Sequence, residues 1–525
     1  MRLETDIAIV GSGFAGSLMA LALRRRGRSV VLVERDRHPR FVIGESSTPL
    51  ANLLIEELAD KYDLPQVRLF SKWGTWQRAR PDVASGLKRG FTFYFHTPGE
   101  PFVDDAAHGR QLMVAASPRD DVGDTQWYRP DFDLNLVREA EAAGAIYLDE
   151  TSIDRVAFDG HGATLDGARH GASIHIDARF VVDASGPRGF LVRALGLEAL
   201  PLRWLPPTQG LYTHFEGVAR WDQVGRPFEG RQPPYPPDDA ALHHVFPGGW
   251  IWVLRFNNGM TSAGAALSDS VAERIGVAEG ERAWNRLLDS LPSVREQFMC
   301  AQAVRPWVHA PRLAFRTPIV CGPCWALLPS AAGVIDPLLS TGFPLALLGI
   351  HRLLEALEIA PGTARDAALS EYARITLAEL DATEQLVAAL YATMSDVALF
   401  KRLALLYFAA ASFSETARRL NRAELAPGFL LHAHPTFGPE LKRCCQLATA
   451  PLTAAERDTL CARIDRTIEP FDVAGLLDRS REDWYPSLAD DLMASAAKLH
   501  ATTDEVDALL ERCGFDTRNV RPAHL

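Results

Sequence analysis

Gly11-Ser12-Gly13-Phe14-Ala15-Gly16 limits what this chain can fold into more than any other stretch. Residues 7–10 before it form a short apolar run rich in β-branched side chains, which predicts a strand. Residues 17–26 after it carry Leu18, Leu21 and Leu23 among apolar neighbours and predict a helix. Arg24, Arg25 and Arg26 crowd the end of that helix, and Gly27 stops it. Residues 29–33 predict a second strand, with Glu34 at its end, 23 residues after Gly11. Strand, glycine turn, helix, strand and acid is the arrangement that binds a dinucleotide. Gly11 permits the tight turn, Gly13 lets backbone approach a pyrophosphate, and Gly16 lets the helix pack on the strand. The helix N-terminus around Ala15 then faces the phosphate charge, and the Glu34 carboxylate can hold ribose hydroxyls. The expected fold class is therefore α/β and Rossmann-like.

Composition sets outer limits. The 525 residues allow three or four units at about 150 residues each. With 47% hydrophobic and 23% charged residues, the chain is ordinary globular material, not disordered, collagenous or a disulfide miniprotein. Lys and Arg total 55 against 66 Asp and Glu, a net charge of -11, and this argues against a nucleic-acid partner. No run reaches the roughly 18 apolar residues of a membrane span; the longest candidate is 403–413. Residues 1–5 carry no apolar signal region, so a cytoplasmic location is expected. Seven scattered cysteines fit reduced thiols.

Farther along, residues 174–182 predict a strand running into Asp183-Ala184-Ser185-Gly186, and 189–195 a short helix. Residues 201–247 are rich in Pro, Gly and aromatics and read as strands and loops. Residues 319–328 are apolar around Cys321-Gly322-Pro323-Cys324. After Gly342 the pattern turns helical, over 345–357 and 367–395, and the tail from Lys401 is mostly helical. The organisation expected is a first module over 1–200, a substrate-side sheet over 201–320, a segment at 321–350 completing the first module, and a helical region over 351–525. The strand end at Asp183 leans towards FAD over NAD.

Five stretches carry a resemblance. Asp336-Pro337-Leu338-Leu339-Ser340-Thr341-Gly342 is similar to the Asp-Pro-x-x-x-x-Gly segment laid against the flavin in FAD monooxygenases of the para-hydroxybenzoate-hydroxylase fold. Val42-Ile43-Gly44-Glu45-Ser46-Ser47-Thr48-Pro49 resembles the flavin-contacting strap of flavin-dependent halogenases. Gly86-Leu87-Lys88-Arg89-Gly90-Phe91 resembles the segment bearing their essential lysine, and Gly249-Trp250-Ile251-Trp252-Val253 their Gly-Trp-x-Trp-x-Ile-Pro signature. Ser340-Thr341-Gly342 resembles their halide-binding turn. Phe256-Asn257-Asn258 and the Leu-Leu-Pro-x-Ala run at 327–331 are most similar to halogenases of free small phenols, such as those acting on phloroglucinol. The likeness spans roughly 5–400. Leu254-Arg255 replaces the Ile-Pro, and Leu339 stands where tryptophan halogenases carry a catalytic glutamate, so tryptophan is not the expected substrate. Pro329-Ser330 replaces the Gly-Asp of the flavin hydroxylases.

The resemblance implies an FAD fold with a substrate-side β-sheet and a C-terminal helical region. It implies reduced FAD as cosubstrate, chloride or bromide bound at Ser340, Thr341 and Gly342, and hypohalous acid passed to Lys88. Cofactor contacts would come from Gly11, Gly13, Ala15, Gly16, Glu34, Gly44, Glu45, Ser46, Asp183, Asp336 and Pro337. Lys88 is one of six lysines, and the alternative is a solvated surface lysine. Trp250 and Trp252 alternate on a strand and face one side, either as core aromatics or as a wall keeping substrate from flavin. Cys321-Gly322-Pro323-Cys324 spells a redox tetrapeptide, but it precedes an apolar strand in place of opening a helix, and a simple turn is expected. Cys444-Cys445 and His243-His244 lack partners at ligand spacing, so no metal is assigned. The aromatics at 73–76 and 91–96 could line a substrate pocket or the core. A second glycine-turn unit for NAD(P)H is missing from the sequence, which implies a separate flavin reductase. A small aromatic substrate and a homodimer complete the expected partners. The alternatives are an FAD-dependent aromatic hydroxylase and an FAD-binding relative that has lost its chemistry and acts through partners.

Overall fold

Arg2–Val10 pairs in parallel with Val30–Val33 on one side and Ala172–Asp183 on the other, so Gly11, Glu34 and Asp183 all leave the sheet at the same edge. Open α/β sheets bind ligands at that carboxyl edge. Ile146–Leu148 extends the sheet beyond Val30–Val33, and Trp325–Leu327 extends it beyond Ala172–Asp183. This computed structural model describes residues 1–187, 189–197, 200–225 and 232–516. Part of the 201–247 stretch and the last residues of the tail therefore fall outside the described residues.

The first strand is longer than the apolar run at 7–10 predicts. Residues 2–5 are largely polar, yet their backbone pairs with residues 175–178, because a ladder needs no continuous apolar run on a sheet margin. The first helix, Phe14–Arg25, starts three residues before the predicted 17, directly off the glycine turn. Gly189 precedes a one-turn helix, Phe190–Ala194. The cysteine tetrapeptide is a tight hairpin in which Cys321 pairs with Ala326 and Gly322 with Trp325. Burial pushes both Cys321 and Cys324 thiols up, the opposite of what a redox pair needs.

A second, mostly antiparallel sheet contains Thr208–Glu216, Thr261–Ser268, Gly249–Arg255 and Ala241–Phe246. It also takes Gly90–Phe95 and Gln111–Ala115 from the expected first module, and Trp484–Tyr485 from the expected helical region. Alternation marks a strand but says nothing about which sheet it joins. Trp250, Trp252, Phe91 and Phe93 face the main core. Ile251, Val253 and Leu242 face the other side, under Trp284 and Leu287 of the helix Glu281–Asp289.

Three long helices, Gly342–Glu358, Thr363–Ala392 and Val397–Arg419, pack against the first face. By length and composition Val397–Arg419 could cross a membrane, which corrects the expectation that no segment reaches that length. In the fold, 72% of its apolar window is buried against the rest of the chain. Lys401 on it reaches the Gly109 carbonyl at 2.9 Å and pairs with Asp483.

Candidate functional site

The glycine turn opens directly into the first helix, whose N-cap is Gly13 with no side-chain cap. Its first N–H groups are thus left for an outside acceptor. Gly11 has φ +105, and a Cβ there would meet the Ala184 carbonyl oxygen at 2.5 Å. A Cβ on Gly16 would meet the Gly11 carbonyl oxygen at 2.0 Å. Ala15, the smallest side chain with a Cβ, is buried in the same turn. A Cβ on Gly13 would lie 3.4 Å from guanidinium nitrogens of both Arg40 and Arg129. Neither arginine belongs to any motif in the sequence. The Arg40 Nε and His38 Nδ1 are buried without a partner among the described residues. An uncapped helix end, two arginines and orphaned donors suit the pyrophosphate of a dinucleotide, so the residues present fit FAD.

At the end of the second strand, the Glu34 carboxylate turns towards the glycine turn. Its Oε2 accepts from the Ser12 N–H and Ser12 Oγ, each at 3.0 Å, and from Arg40 at 3.3 Å. Burial raises its pKa, but Arg40 and Ser12 outweigh that and hold the carboxyl below its usual range. Glu34 closes the glycine turn and positions Arg40. Asp183 is also fully engaged: Oδ1 accepts from Ser185 N–H and Oγ, and Oδ2 from the Leu191 N–H at 2.6 Å. It shapes the turn before the Phe190–Ala194 helix.

The strap runs beside the strand Asp124–Trp127. Ser46 bridges Gln126, the Ser47 N–H donates to the Thr125 carbonyl at 3.2 Å, and the Trp127 N–H donates to the Glu45 carbonyl at 2.6 Å. The Glu45 carboxylate meets His214 Nε2 of the second sheet at 2.9 Å, both side chains fully buried. Gly44 has φ +89, and its carbonyl accepts from Arg129 at 2.9 Å. Arg129 is held in turn by a two-pronged bond to Asp133. One arginine therefore joins the strap to the phosphate end.

Lys88 ends the strand Ser85–Lys88, which pairs antiparallel with Asp124–Trp127 so that Lys88 stands opposite Asp124. It is 0% exposed, which removes the surface-lysine reading. Nζ donates to Ser46 Oγ at 2.9 Å and to the Ser47 carbonyl, and lies 3.8 Å from the Phe91 ring centroid. Burial drives the ammonium's pKa well down, and Asp124 recovers only part of it. Burial likewise drives the Asp124 carboxyl up, against Lys72 and Lys88. Trp76 is core, packed on Phe70 and Phe132, whereas Phe91 and Phe93 stack on His243 beside the lysine.

Asp336 and Pro337 start the segment leading to Ser340, which takes φ +53. Thr341 is the N-cap of Gly342–Glu358 and makes no side-chain cap. A Cβ on Gly342 would meet nothing within 4 Å, so this helix also begins facing open space. Phe343 stacks on Trp127 at 4.1 Å and meets Phe14 edge-on at 4.9 Å, which brings the two helix starts together. Asp336 is buried, and burial pushes its carboxyl up to about 7 against bonds from Tyr391 and the Leu338 N–H. Tyr391 donates to Asp336 Oδ2 at 2.9 Å and accepts from Trp250 Nε1 at 3.2 Å. Trp252, 5.6 Å from Trp250, donates to Ser262 Oγ at 3.3 Å. Tyr407 on Val397–Arg419 donates to the Leu339 carbonyl at 2.9 Å, its ring 6.2 Å from Phe91.

The fold thus gathers the glycine turn, strap, lysine strand, tryptophan strand and Ser-Thr-Gly turn around one centre. Sequence reading missed Arg40, Arg129, Asp124, Asn52 and Tyr391, which have no motif and arrive by pairing across long separations.

A family model described as tryptophan halogenase matches residues 129–404, and one described as FAD dependent oxidoreductase matches residues 6–116. The chain is 31% identical over 412 residues to the monodechloroaminopyrrolnitrin halogenase PrnC of Pseudomonas fluorescens, covering 75% of this chain and 69% of that one. It is 32% identical over 348 residues to the tetracycline 7-halogenase of Kitasatospora aureofaciens, covering 64% of this chain and 60% of that one. Among solved structures it is similar to the halogenase PltM in complex with phloroglucinol and FAD, with a TM-score of 0.80 at 24% identity over 91% of this chain and 99% of that one.

Proposed function

Since the chain belongs to the tryptophan halogenase family of flavin-dependent halogenases, we propose that it halogenates a small free phenol, with Lys88 delivering the halogen. The enzyme is an FAD-dependent oxidoreductase that acts on a small aromatic compound, and it draws reduced flavin from a separate reductase. When bound, reduced FAD together with O2 supplies the oxidation of chloride or bromide to hypohalous acid.

The residues do the rest. The uncapped helix at Gly13, with Arg40 and Arg129, holds the pyrophosphate, and the strap from Gly44 to Ser46 lies along the flavin side. Ser340, Thr341 and Gly342 bind the halide through backbone N–H groups and hydroxyls, which suit a compact anion. Trp250 and Trp252 form the wall between flavin and substrate, fixed by the Tyr391 bond to Asp336. Lys88 polarises the hypohalous acid through a charge-assisted hydrogen bond in a water-poor pocket.

The observation that carries this reading is the burial of Lys88 against Ser46 and Phe91, a cost a surface lysine never bears. The phenol class is supported by the phloroglucinol-bound structural neighbour. It is also supported by Leu339, buried in the halide turn, which leaves that turn without a carboxylate. A substrate whose own hydroxyl enriches the ring needs less help from such a group. The test is mass spectrometry of a phenol panel incubated with FAD, a flavin reductase, NADH and either halide. Mass gains of one halogen on phenols, absent from tryptophan, support the reading; halogenation of tryptophan alone would overturn it.

A further inference from the structure

One face of the Ser85–Lys88/Asp124–Trp127 ribbon holds a set of polar atoms that the mechanism above does not use. Strand geometry puts Lys88, Asp124 and Gln126 on that face, with Gly86 as the fourth position. Asp124 is 1% exposed and Gln126 0%. Asp124 Oδ1 accepts from Asn52 Nδ2 at 2.8 Å, where Asn52 lies on the helix Pro49–Tyr62 that follows the strap. Its other oxygen, Oδ2, has no partner among the described residues. Both polar atoms of the Gln126 amide, Asn52 Oδ1 and Ser47 Oγ are also buried without partners.

Buried polar atoms are almost always hydrogen-bonded, and leaving one unpaired costs about 1–3 kcal/mol. Five such atoms from three elements, gathered beside the one fully buried lysine, mark a site built for a ligand. Two of the five are acceptor-only oxygens, on Asp124 and Asn52; the Ser47 hydroxyl can accept or donate, and the Gln126 amide offers one acceptor oxygen and one donor nitrogen. A ligand with several O–H donors satisfies such a set; an ether or an unsubstituted ring does not.

We propose that this face is the docking site for the ring hydroxyls of the substrate, and that Asp124 is the base that takes a phenolic proton. The proposal rests on the phenol halogenation argued above and assigns its recognition to Asp124, Gln126, Asn52 and Ser47. The charges facing Asp124 agree with this role. Lys88 comes from the partner strand, Lys72 precedes the helix Trp73–Ala79, and Glu415 and Tyr407 come from Val397–Arg419. Burial raises the Asp124 carboxyl towards the range where it can accept and return a proton near neutrality.

The step balances as follows. Asp124 accepts the phenolic proton as the ring carbon attacks the halogen of hypohalous acid. The carbon–halogen bond forms, the oxygen–halogen bond breaks, and a Lys88 proton turns the departing hydroxide into water. The halogenated dienone then loses its ring proton to the Lys88 amine and recovers the oxygen-bound proton from Asp124. Phenol and hypohalous acid have become halophenol and water, and both side chains are restored.

The experiment compares a trihydroxybenzene with its trimethyl ether in the reductase-coupled assay, on wild type and Asp124→Asn. The amide keeps the size of the carboxylate and can still accept from Asn52. Wild type is expected to prefer the phenol by at least about 100-fold in kcat/KM, the lower range for a positioned base. Asp124→Asn is expected to lose that preference through a fall in kcat/KM for the phenol much larger than any change for the trimethyl ether, while FAD affinity stays within about threefold. Retention of the full phenol preference by Asp124→Asn overturns the proposal, and so does loss of FAD binding in that variant, since the face would then serve the flavin. Equal wild-type rates on phenol and ether overturn it without any variant. Wild type that halogenates neither compound, yet does halogenate an aromatic without hydroxyls, removes the phenol reading itself.

Discussion

A lysine buried to 0% exposure has given up its hydration for two hydrogen bonds and a ring face, and it keeps that arrangement at a cost in stability. Lys88→Ala removes that cost together with the proposed halogen-delivering group. The variant is expected to melt no lower than wild type by more than a few degrees, to bind FAD and to consume oxygen with reduced flavin. Halogenated product is expected to fall at least about 1000-fold, within the range of a group essential to proton and charge placement. Lys88→Arg is expected to fail as well, because a planar guanidinium neither fits between Ser46 and Phe91 nor gives up a proton. Product formed against oxygen consumed is the measurement, and product at a near wild-type rate from Lys88→Ala would take Lys88 out of the reaction. The sequence showed this residue through its local motif. It could not show Asp124 36 positions away, because only the register of a two-stranded ribbon sets them opposite each other.

The turn between Asp336 and Gly342 is the element on which two further expectations rest. Thr341→Val keeps the shape and removes a hydroxyl at the start of the Gly342–Glu358 helix. The halide concentration for half-maximal rate is expected to rise about tenfold, the loss of one good hydrogen bond to an anion, with FAD affinity unchanged. An unchanged halide dependence would place the ion elsewhere. Asp336, at the other end of the turn, has a folded pKa of about 7, above its ordinary 3.8. A raised carboxyl stabilises the fold most below its unfolded pKa and loses that contribution as pH climbs through the folded one. Stability of the apoprotein is thus expected to decline between about pH 4 and pH 7, by an Asp336 share on the order of 4 kcal/mol. Asp336→Asn should flatten that part of a denaturation-midpoint curve; a slope equal to wild type would assign it to other groups. The Asp-Pro start and Ser-Thr-Gly end were legible because each is local. The tie from Asp336 through Tyr391 to Trp250 was not, since it joins three segments across 141 residues.

At the scale of the molecule, the βαβ start was legible from residues 7–34 alone, because the glycine turn fixes strand, helix and strand within one short run. The second sheet was only half legible. Ala241–Phe246, Gly249–Arg255 and Thr261–Ser268 follow in sequence order, but Thr208–Glu216, Gly90–Phe95, Gln111–Ala115 and Trp484–Tyr485 join them across connections whose closure no local pattern records. Val397–Arg419 looked like tail and proves to be a wall of the site, through Tyr407 on the Leu339 carbonyl. The described residues contain a single glycine-turn unit at the carboxyl edge of the first sheet, and this bears on electron supply. NADH alone is expected to sustain oxygen uptake at no more than a few percent of the rate seen with an added flavin reductase. Fast NADH oxidation by the purified protein alone would mean that it carries its own nicotinamide site.

The scarcity of lysine and the burial of Lys88 together make the protein its own clock for internal opening. Lys61, Lys442 and Lys498 are exposed, Lys72 is half-buried, and Lys88 and Lys401 are enclosed. An amine-acylating reagent added to native protein tags the exposed three at the speed of small peptides. It reaches Lys88 only during excursions that part the strap from the lysine strand. The acylation half-time at Lys88, read on the peptide between Lys72 and Lys88, measures how often the catalytic chamber breathes, and its lengthening on adding FAD or substrate reports how tightly each one shuts it.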